Sequence, residues 1–405
     1  MNTRLADGID WVGYVDWNVR DFHGYQTDRG STYNAYLVRD EQTALIDTVK
    51  APYATAFLER VAALTDPGRI AYLVCNHAEP DHSGALPALV AACPRAEVVC
   101  DERCREALRK HYDAAGWRFR IVATGQRLPL GRRSLQFLET PMVHWPESMA
   151  TYVPEERLLF SMDAFGQHYA SGGRFDDEEP WEVLLAEAKT YYANIVMLYG
   201  RPIARVMQQA EGLELGTIAP SHGVIWRRHV GEILEAYRGW TAHRPRPKAL
   251  VLYDTMWGST AAMAAAVTEG ALETGAEVRQ YAVRAANLTV LATELLDAAA
   301  LACGSATLNN TLMPQMAAVL TYYQGLKPMG KAGFAFGSYG WSKGGAAAVE
   351  GYLRAMKVDL LRPPLEAQFV PTAETLAECR AAGRRLGEEA LARHRAAQSA
   401  GAAAG

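Results

Sequence analysis

The sequence predicts an α/β protein in two units, a mixed α/β sandwich followed by a doubly wound parallel sheet. Three observations predict it. Short apolar runs in residues 1–245 end in polar turns rich in histidine and carboxylate. Strand–loop–helix units recur in residues 246–395, the pattern of parallel strands joined by crossover helices. Between them, 242-AHRPRPKAL-250 places two prolines and three basic residues around the start of an apolar run. Proline resists both helix and central strand, so this stretch reads as a linker.

Composition agrees with a globular protein of two or three domains. The chain has 405 residues, 49% of them apolar and 21% charged, enough to bury cores without staples. The net charge of −4 argues against a nucleic-acid binder, which needs clustered positive charge. No run of uncharged apolar residues is long enough for a membrane span. The start, 1-MNTRLADGIDW-11, has no apolar signal core, so a cytoplasmic location is expected. Cys75, Cys93, Cys100, Cys104, Cys303 and Cys379 form no C-x-x-C pair and read as reduced, mostly buried thiols. Residues 396–405, small and of low complexity, are expected to form a disordered tail.

In chain order, residues 43–47 and 70–76 read as strands, the second ending in 77-HAEPDH-82. A helix is expected over 83–93. Residues 135–140 are extended and end near His144. Residues 149–152 and 158–161 flank 154-PEER-157 as a hairpin, and 217–220 lead to Ser221-His222-Gly223. In the second unit, strands are expected at 248–253, 278–283, 299–303 and 331–336, with helices over 261–275 and from 346. Ligands of such a sheet sit at the carboxyl ends of its strands.

Those ends carry the chemistry. His77, Glu79, Asp81 and His82 form the run H-x-E-x-D-H directly after a strand, and imidazole with carboxylate binds iron, manganese or zinc. His144, Asp163 and His222 also follow strand-like runs. One tetrahedral zinc needs about four ligands, so this larger set fits a two-metal centre. Asp163, alone between histidines along the chain, is the best bridge. Glu79, in a place where a third imidazole would complete H-x-H-x-D-H, hardens the site toward iron. His23 in 21-DFHGY-25 is a candidate for a group behind the ligands that tunes charge or donates a proton. His168 reads as an ordinary loop histidine, and His111, His229, His243 and His394 as surface residues. Trp145, beside His144, is a candidate wall of the pocket over these groups.

In the second unit, 254-DTMWGST-260 opens a helix with Thr255, Met256, Trp257, Gly258, Ser259 and Thr260. Hydroxyls and free N–H groups at a helix start bind a phosphate. Neither a P-loop nor a G-x-G-x-x-G run is present, so a monophosphate such as that of FMN fits best. Two further loops would hold its ring: Ser305, Ala306, Thr307, Leu308, Asn309 and Asn310, and then Ser338, Tyr339, Gly340, Trp341, Ser342, Gly344 and Gly345.

On these motifs, with 16-DWNVRDFHGYQTDRGSTYNAYLV-38, 144-HWPESM-149, 162-MDAFG-166, 220-PSHG-223 and 253-YDTMWGST-260, the chain resembles the flavodiiron proteins, or A-type flavoproteins, over nearly its whole length. The resemblance implies a metallo-β-lactamase-like αββα sandwich with a non-haem diiron centre, followed by a flavodoxin-like FMN domain. It implies that His77, Glu79 and His144 bind one iron, that Asp81, His82 and His222 bind the other, and that Asp163 bridges them. It further implies reduction of dioxygen to water, of nitric oxide to nitrous oxide, or of both. A head-to-tail homodimer or dimer of dimers is expected, as is a separate electron donor such as rubredoxin or a flavin reductase. A zinc-dependent metallo-β-lactamase-type hydrolase fused to a flavodoxin-like domain is the rival reading.

Overall fold

The computed structural model describes residues 3–404. It divides into two compact units between Arg238 and Gly239. That point lies one turn before the end of the helix Val230–Thr241. The boundary expected near 245 lies a few residues further on, in the proline-bearing stretch just past the end of that helix.

In the first unit, a sheet of seven strands runs in the order Arg4–Ala6, Ile9–Trp11, Tyr36–Val38, Thr43–Ile46, Ile70–Val74, Glu97–Cys100 and Phe119–Ile121. Pairing is antiparallel up to Thr43–Ile46 and parallel beyond it. A second sheet has five strands: Arg127–Pro129, Ser134–Glu139, Met149–Val153, Leu158–Met162 and Thr217–Pro220. Strand alternation builds the layers. Tyr36, Val38, Ala44, Ile46, Val74 and Val99 face Phe137, Val153, Leu158 and Phe160 between the sheets. Leu37, Leu45, Leu73 and Val98 point the other way, onto Phe57, Val61, Leu86, Leu89 and Leu108 of the covering helices. The expected hairpin is present, with Val153 opposite Leu158 and Arg157 left-handed at its turn.

The second unit is a parallel sheet in the order Glu277–Ala282, Lys248–Asp254, Ala300–Ser305, Ala332–Tyr339. Both Asp359–Leu360 and Leu365–Gln368 pair with the last of these. Its switch point, where strand order reverses, lies between Lys248–Asp254 and Ala300–Ser305. Leu250 and Leu252 pack on one helical layer, Ala249 and Val251 on the other. The helix Ser259–Leu272 meets the C-terminal helix closely, because a Cβ on Gly270 would stand 1.9 Å from the Arg380 carbonyl oxygen.

The expected loose tail is a correction. The last helix runs Ala373–Ala404, because alanine is the strongest helix former and no proline interrupts the run. Gly405 lies outside the described residues.

Candidate metal centre and flavin pocket

The loop ends of the two sheets in the first unit bring the seven predicted ligands together. His77 follows the strand Ile70–Val74, Asp163 follows Leu158–Met162, and His222 follows Thr217–Pro220. Glu79 precedes the short helix Pro80–Ser83, which holds Asp81 and His82. Ligand atoms of His77, Glu79, His144 and Asp163 lie within 4.8 Å of one another, and so do those of Asp81, His82 and His222. Asp163 joins the two groups. Its Oδ2 is 3.4 Å from His77 Nε2 and 3.3 Å from His144 Nε2. Its Oδ1 is 3.1 Å from His82 Nε2 and 3.3 Å from His222 Nε2. Residues of left-handed backbone surround the cluster, among them Asp47, Met142, Met162 and Phe165, a strain that folds concentrate at functional sites.

The chemistry of this cluster fits a pair of metal ions. The Nε2 atoms of His82, His144 and His222, both oxygens of Asp81 and Oδ2 of Asp163 are buried without a hydrogen bond. Such groups are costly unless something ligates them. Protons stand in for that charge. Burial disfavours the histidine charges, but Asp163 and Asp81 hold His82 well above the usual range. Asp163 and Glu79 likewise raise His144 to about 9 against its burial. In return, and also against burial, His82 and His222 lower Asp81 to about 2.

A supporting layer orients the ligands. His77 Nδ1 donates to Glu147 Oε1 at 2.8 Å, and His222 Nδ1 donates to the Thr32 carbonyl at 2.6 Å. Such contacts fix which nitrogen faces the metal. Tyr191 donates to Asp163 Oδ1 at 2.8 Å. The sequence reading passed over Glu147 and Tyr191. Glu147 lay inside the motif 144-HWPESM-149 and was legible there, whereas Tyr191 carried no local signal. His23 Nε2 stands 3.0 Å from Glu79 Oε1, and ligand atoms of His23, Glu79 and Asp81 also lie within 4.8 Å of one another. Trp145 packs edge-to-face on His77 at 5.0 Å.

The reading of His168 as an ordinary loop residue does not hold. It is buried, hydrogen-bonded to Ser31 Oγ at 2.7 Å, and its ring is 5.0 Å from that of His222. Burial, with the nearby His222 and His23, pushes it far below the usual histidine range, so it stays neutral. All six cysteines are buried and free.

In the second unit, a cavity of about 730 Å³ opens at the carboxyl ends of the strands. Met256, Trp257 and Ser259 line it from the first predicted loop, Ala306 to Asn310 from the second, and Ser338 to Ser342 from the third. Gly258, at φ 91, turns the chain into the helix Ser259–Leu272, and its N–H is held by Thr255 Oγ1 at 3.1 Å. Trp257 and Trp341 are 89% and 94% exposed, which leaves their faces open to a flat ring.

Besides Thr255 and Gly258, four predicted contacts do not line the cavity. Ser305 is fully buried and accepts from Met313 N–H. Thr260 pairs with Ser338 Oγ at 2.8 Å. Gly345 N–H donates to Thr307 Oγ1. Gly344, at φ 153, lies so close to the Asn310 carbonyl that a Cβ would stand 2.1 Å from it, so only glycine fits. Phe369 and Val370, which the sequence reading missed, also line the cavity. They follow an alternating strand as an apolar pair, the one local sign of their role.

Fold and site together define a class: a metallo-β-lactamase-type sandwich built for two adjacent metals, followed by a flavodoxin-type domain with an open flavin pocket. Comparison with known proteins gives the same division. Residues 32–223 match the ODP family beta lactamase model and residues 251–383 the flavodoxin model. A nitric oxide reductase of Moorella thermoacetica is 44% identical over 94% of this chain and 97% of its own. A rubredoxin-oxygen oxidoreductase of Megalodesulfovibrio gigas is 39% identical over 91% and 93%. The crystal structure of the flavodiiron protein from Giardia intestinalis superposes with a TM-score of 0.95 at 37% identity, covering 98% of each chain.

The chain belongs to the flavodiiron protein family. It is an oxidoreductase; its flavodoxin domain implies FMN, and its family carries a diiron centre. The rival reading as a zinc hydrolase is thereby set aside, because relatives matched along nearly the full chain are reductases. Among the described residues, no helix is long and apolar enough to cross a membrane.

Proposed function

We propose that this chain reduces dioxygen to water, nitric oxide to nitrous oxide, or both, at two irons held by His77, Glu79 and His144 and by Asp81, His82 and His222, with Asp163 between them. The observation that carries this reading is Asp163. Each of its oxygens faces a different pair of histidines at 3.1–3.4 Å, the arrangement of a carboxylate shared by two neighbouring ions. When bound, FMN and the irons supply stored electrons and Lewis acidity toward the gas. The chain's own groups do the rest. Glu147 and the Thr32 carbonyl hold the imidazoles of His77 and His222 in the ligating tautomer. Tyr191 donates to the shared carboxylate and holds it in place. Phe22, Trp145 and neutral His168 wall the site with uncharged rings and so exclude water. His23 packs against Glu79, with Nε2 3.0 Å from Oε1.

An external donor of the rubredoxin or flavin-reductase type supplies electrons to the FMN pocket. The working unit is a head-to-tail homodimer or dimer of dimers in the cytoplasm. The test is anaerobic reduction of the iron- and FMN-loaded protein, followed by stopped-flow mixing with each gas. Rapid reoxidation by either gas is expected, with the faster one identifying the substrate. Slow reoxidation by both gases would overturn the reading.

A further inference from the structure

A line of tyrosines leads from the metal centre to the surface of the same unit. His222 donates from Nδ1 to the Thr32 carbonyl at 2.6 Å, and the next residue is Tyr33, whose ring is 6.1 Å from the His222 ring. Tyr33 lies parallel to Tyr53 at 5.6 Å, and Tyr53 stacks on Tyr14 at 3.9 Å, with 12° between planes. Tyr14 reaches a surface cavity that it shares with Trp11, Trp17 and Arg60. Packing alone would be served by phenylalanine. Here the phenols of Tyr33 and Tyr53 both donate to one oxygen of the buried Asp16, Oδ2, at 3.1 and 2.8 Å. Asp16 is held in place by the backbone N–H groups of Asn18 and Val19 on its other oxygen. A carboxylate on the phenolic hydrogen lets a tyrosine give up an electron and a proton together. The Lys50 ammonium, 4.9 Å from the Tyr33 ring centre, opposes loss of the electron without the proton.

We propose that Tyr33, Tyr53 and Tyr14 form an escape relay that carries oxidising equivalents from the metal centre to the surface when dioxygen arrives before the centre holds enough electrons. This rests on the function proposed above. In each step one electron leaves a tyrosine for the oxidised centre or for the preceding tyrosyl radical. For Tyr33 and Tyr53 the phenolic proton passes to Asp16, leaving a neutral radical and a protonated carboxyl. Reduction of Tyr33 by Tyr53 returns the first proton. At the end, Tyr14 loses its proton to water, and its radical takes one electron and one proton from a small reductant such as ascorbate.

The test uses holoenzyme given two electrons per subunit, mixed with excess dioxygen and freeze-quenched for electron paramagnetic resonance and Mössbauer spectroscopy. A radical is expected whose hyperfine structure collapses in protein grown on ring-deuterated tyrosine, and which ascorbate removes. Tyr53→Phe keeps the ring stack but breaks the relay, so the radical should remain at Tyr33 and its removal by ascorbate slow at least tenfold. Tyr14→Phe, a second isosteric change, should slow it similarly. Oxidised iron without any tyrosine radical would overturn the relay, as would unchanged decay in both variants. Absence of paired iron that dioxygen oxidises would instead overturn the underlying function, and the relay with it.

Discussion

Replacing Glu147 by glutamine separates the two metal positions. Glu147 is buried and meets His77, fully buried, through a 2.8 Å hydrogen bond from Nδ1. It touches no other predicted ligand. Glutamine keeps the volume and can still accept through its amide oxygen, so the change removes charge and little else. A hydrogen bond to a charged group is worth about 1.5–3 kcal/mol, a neutral one about 0.5–1.5, so the loss is about 1–1.5 kcal/mol. At about 1.4 kcal/mol per decade, metal affinity at the His77, Glu79 and His144 position falls roughly tenfold, within the range known for contacts behind metal ligands. Chelator competition, followed by metal content against free chelator, resolves release from the two positions. The step belonging to His77 should shift and the step belonging to Asp81, His82 and His222 should not. Equal shifts in both steps, or none, would refute the argument that Glu147 acts through the His77 imidazole.

Three further outcomes follow from the same geometry. Asp101 caps a helix by accepting from Cys104 N–H, yet burial, with Glu139 and Glu147 nearby, pushes its carboxyl up to about 6; a native pKa above the unfolded one costs stability as pH rises from about 4 to 6. Asp101→Asn, an equally good cap, should therefore stabilise the protein by about 2 kcal/mol at pH 7 and do nothing below pH 4, as denaturant titration at both pH values would show. Chelated protein should be most stable near pH 5–6 and lose stability from about pH 6.5 to 9, because His144 is raised to about 9 and its contribution fades as it deprotonates. Metal loading should reverse that slope, since ligation needs neutral imidazoles; parallel thermal melts across this range check it. Trp341→Ala should leave stability within about 0.5 kcal/mol, because the side chain is 94% exposed, while flavin affinity falls about three- to tenfold, the worth of one aromatic contact, measured by flavin fluorescence on release.

Much of this molecule was legible in its sequence for a local reason. A strand that ends in H-x-E-x-D-H carries both its period and its ligands within one short stretch, so strand and site are read together. The Gly- and Ser-rich loops at 254–260, 304–310 and 337–345 announce a ligand at strand ends in the same way. What was missed depends on distance along the chain. Tyr191 meets Asp163 across 28 residues and Ser31 meets His168 across 137; nothing beside any of them signals the meeting. The direction of a loop hydroxyl is equally hidden: Ser305 looks like a ring contact but turns inward to the Met313 N–H.

The sequence by itself determined the two-unit α/β architecture, and it marked the candidate metal donors and the candidate flavin loops, because hydrophobic period, turn composition and donor chemistry are properties of neighbouring residues. Only the tertiary structure decided that Asp163 presents one oxygen to each histidine pair, that Glu147 and Thr32 aim the imidazoles, and that Asp16 serves two tyrosines at once. Those relations are set by how two sheets stack and where their loop ends converge, and they exist only once the cores between the sheets are packed.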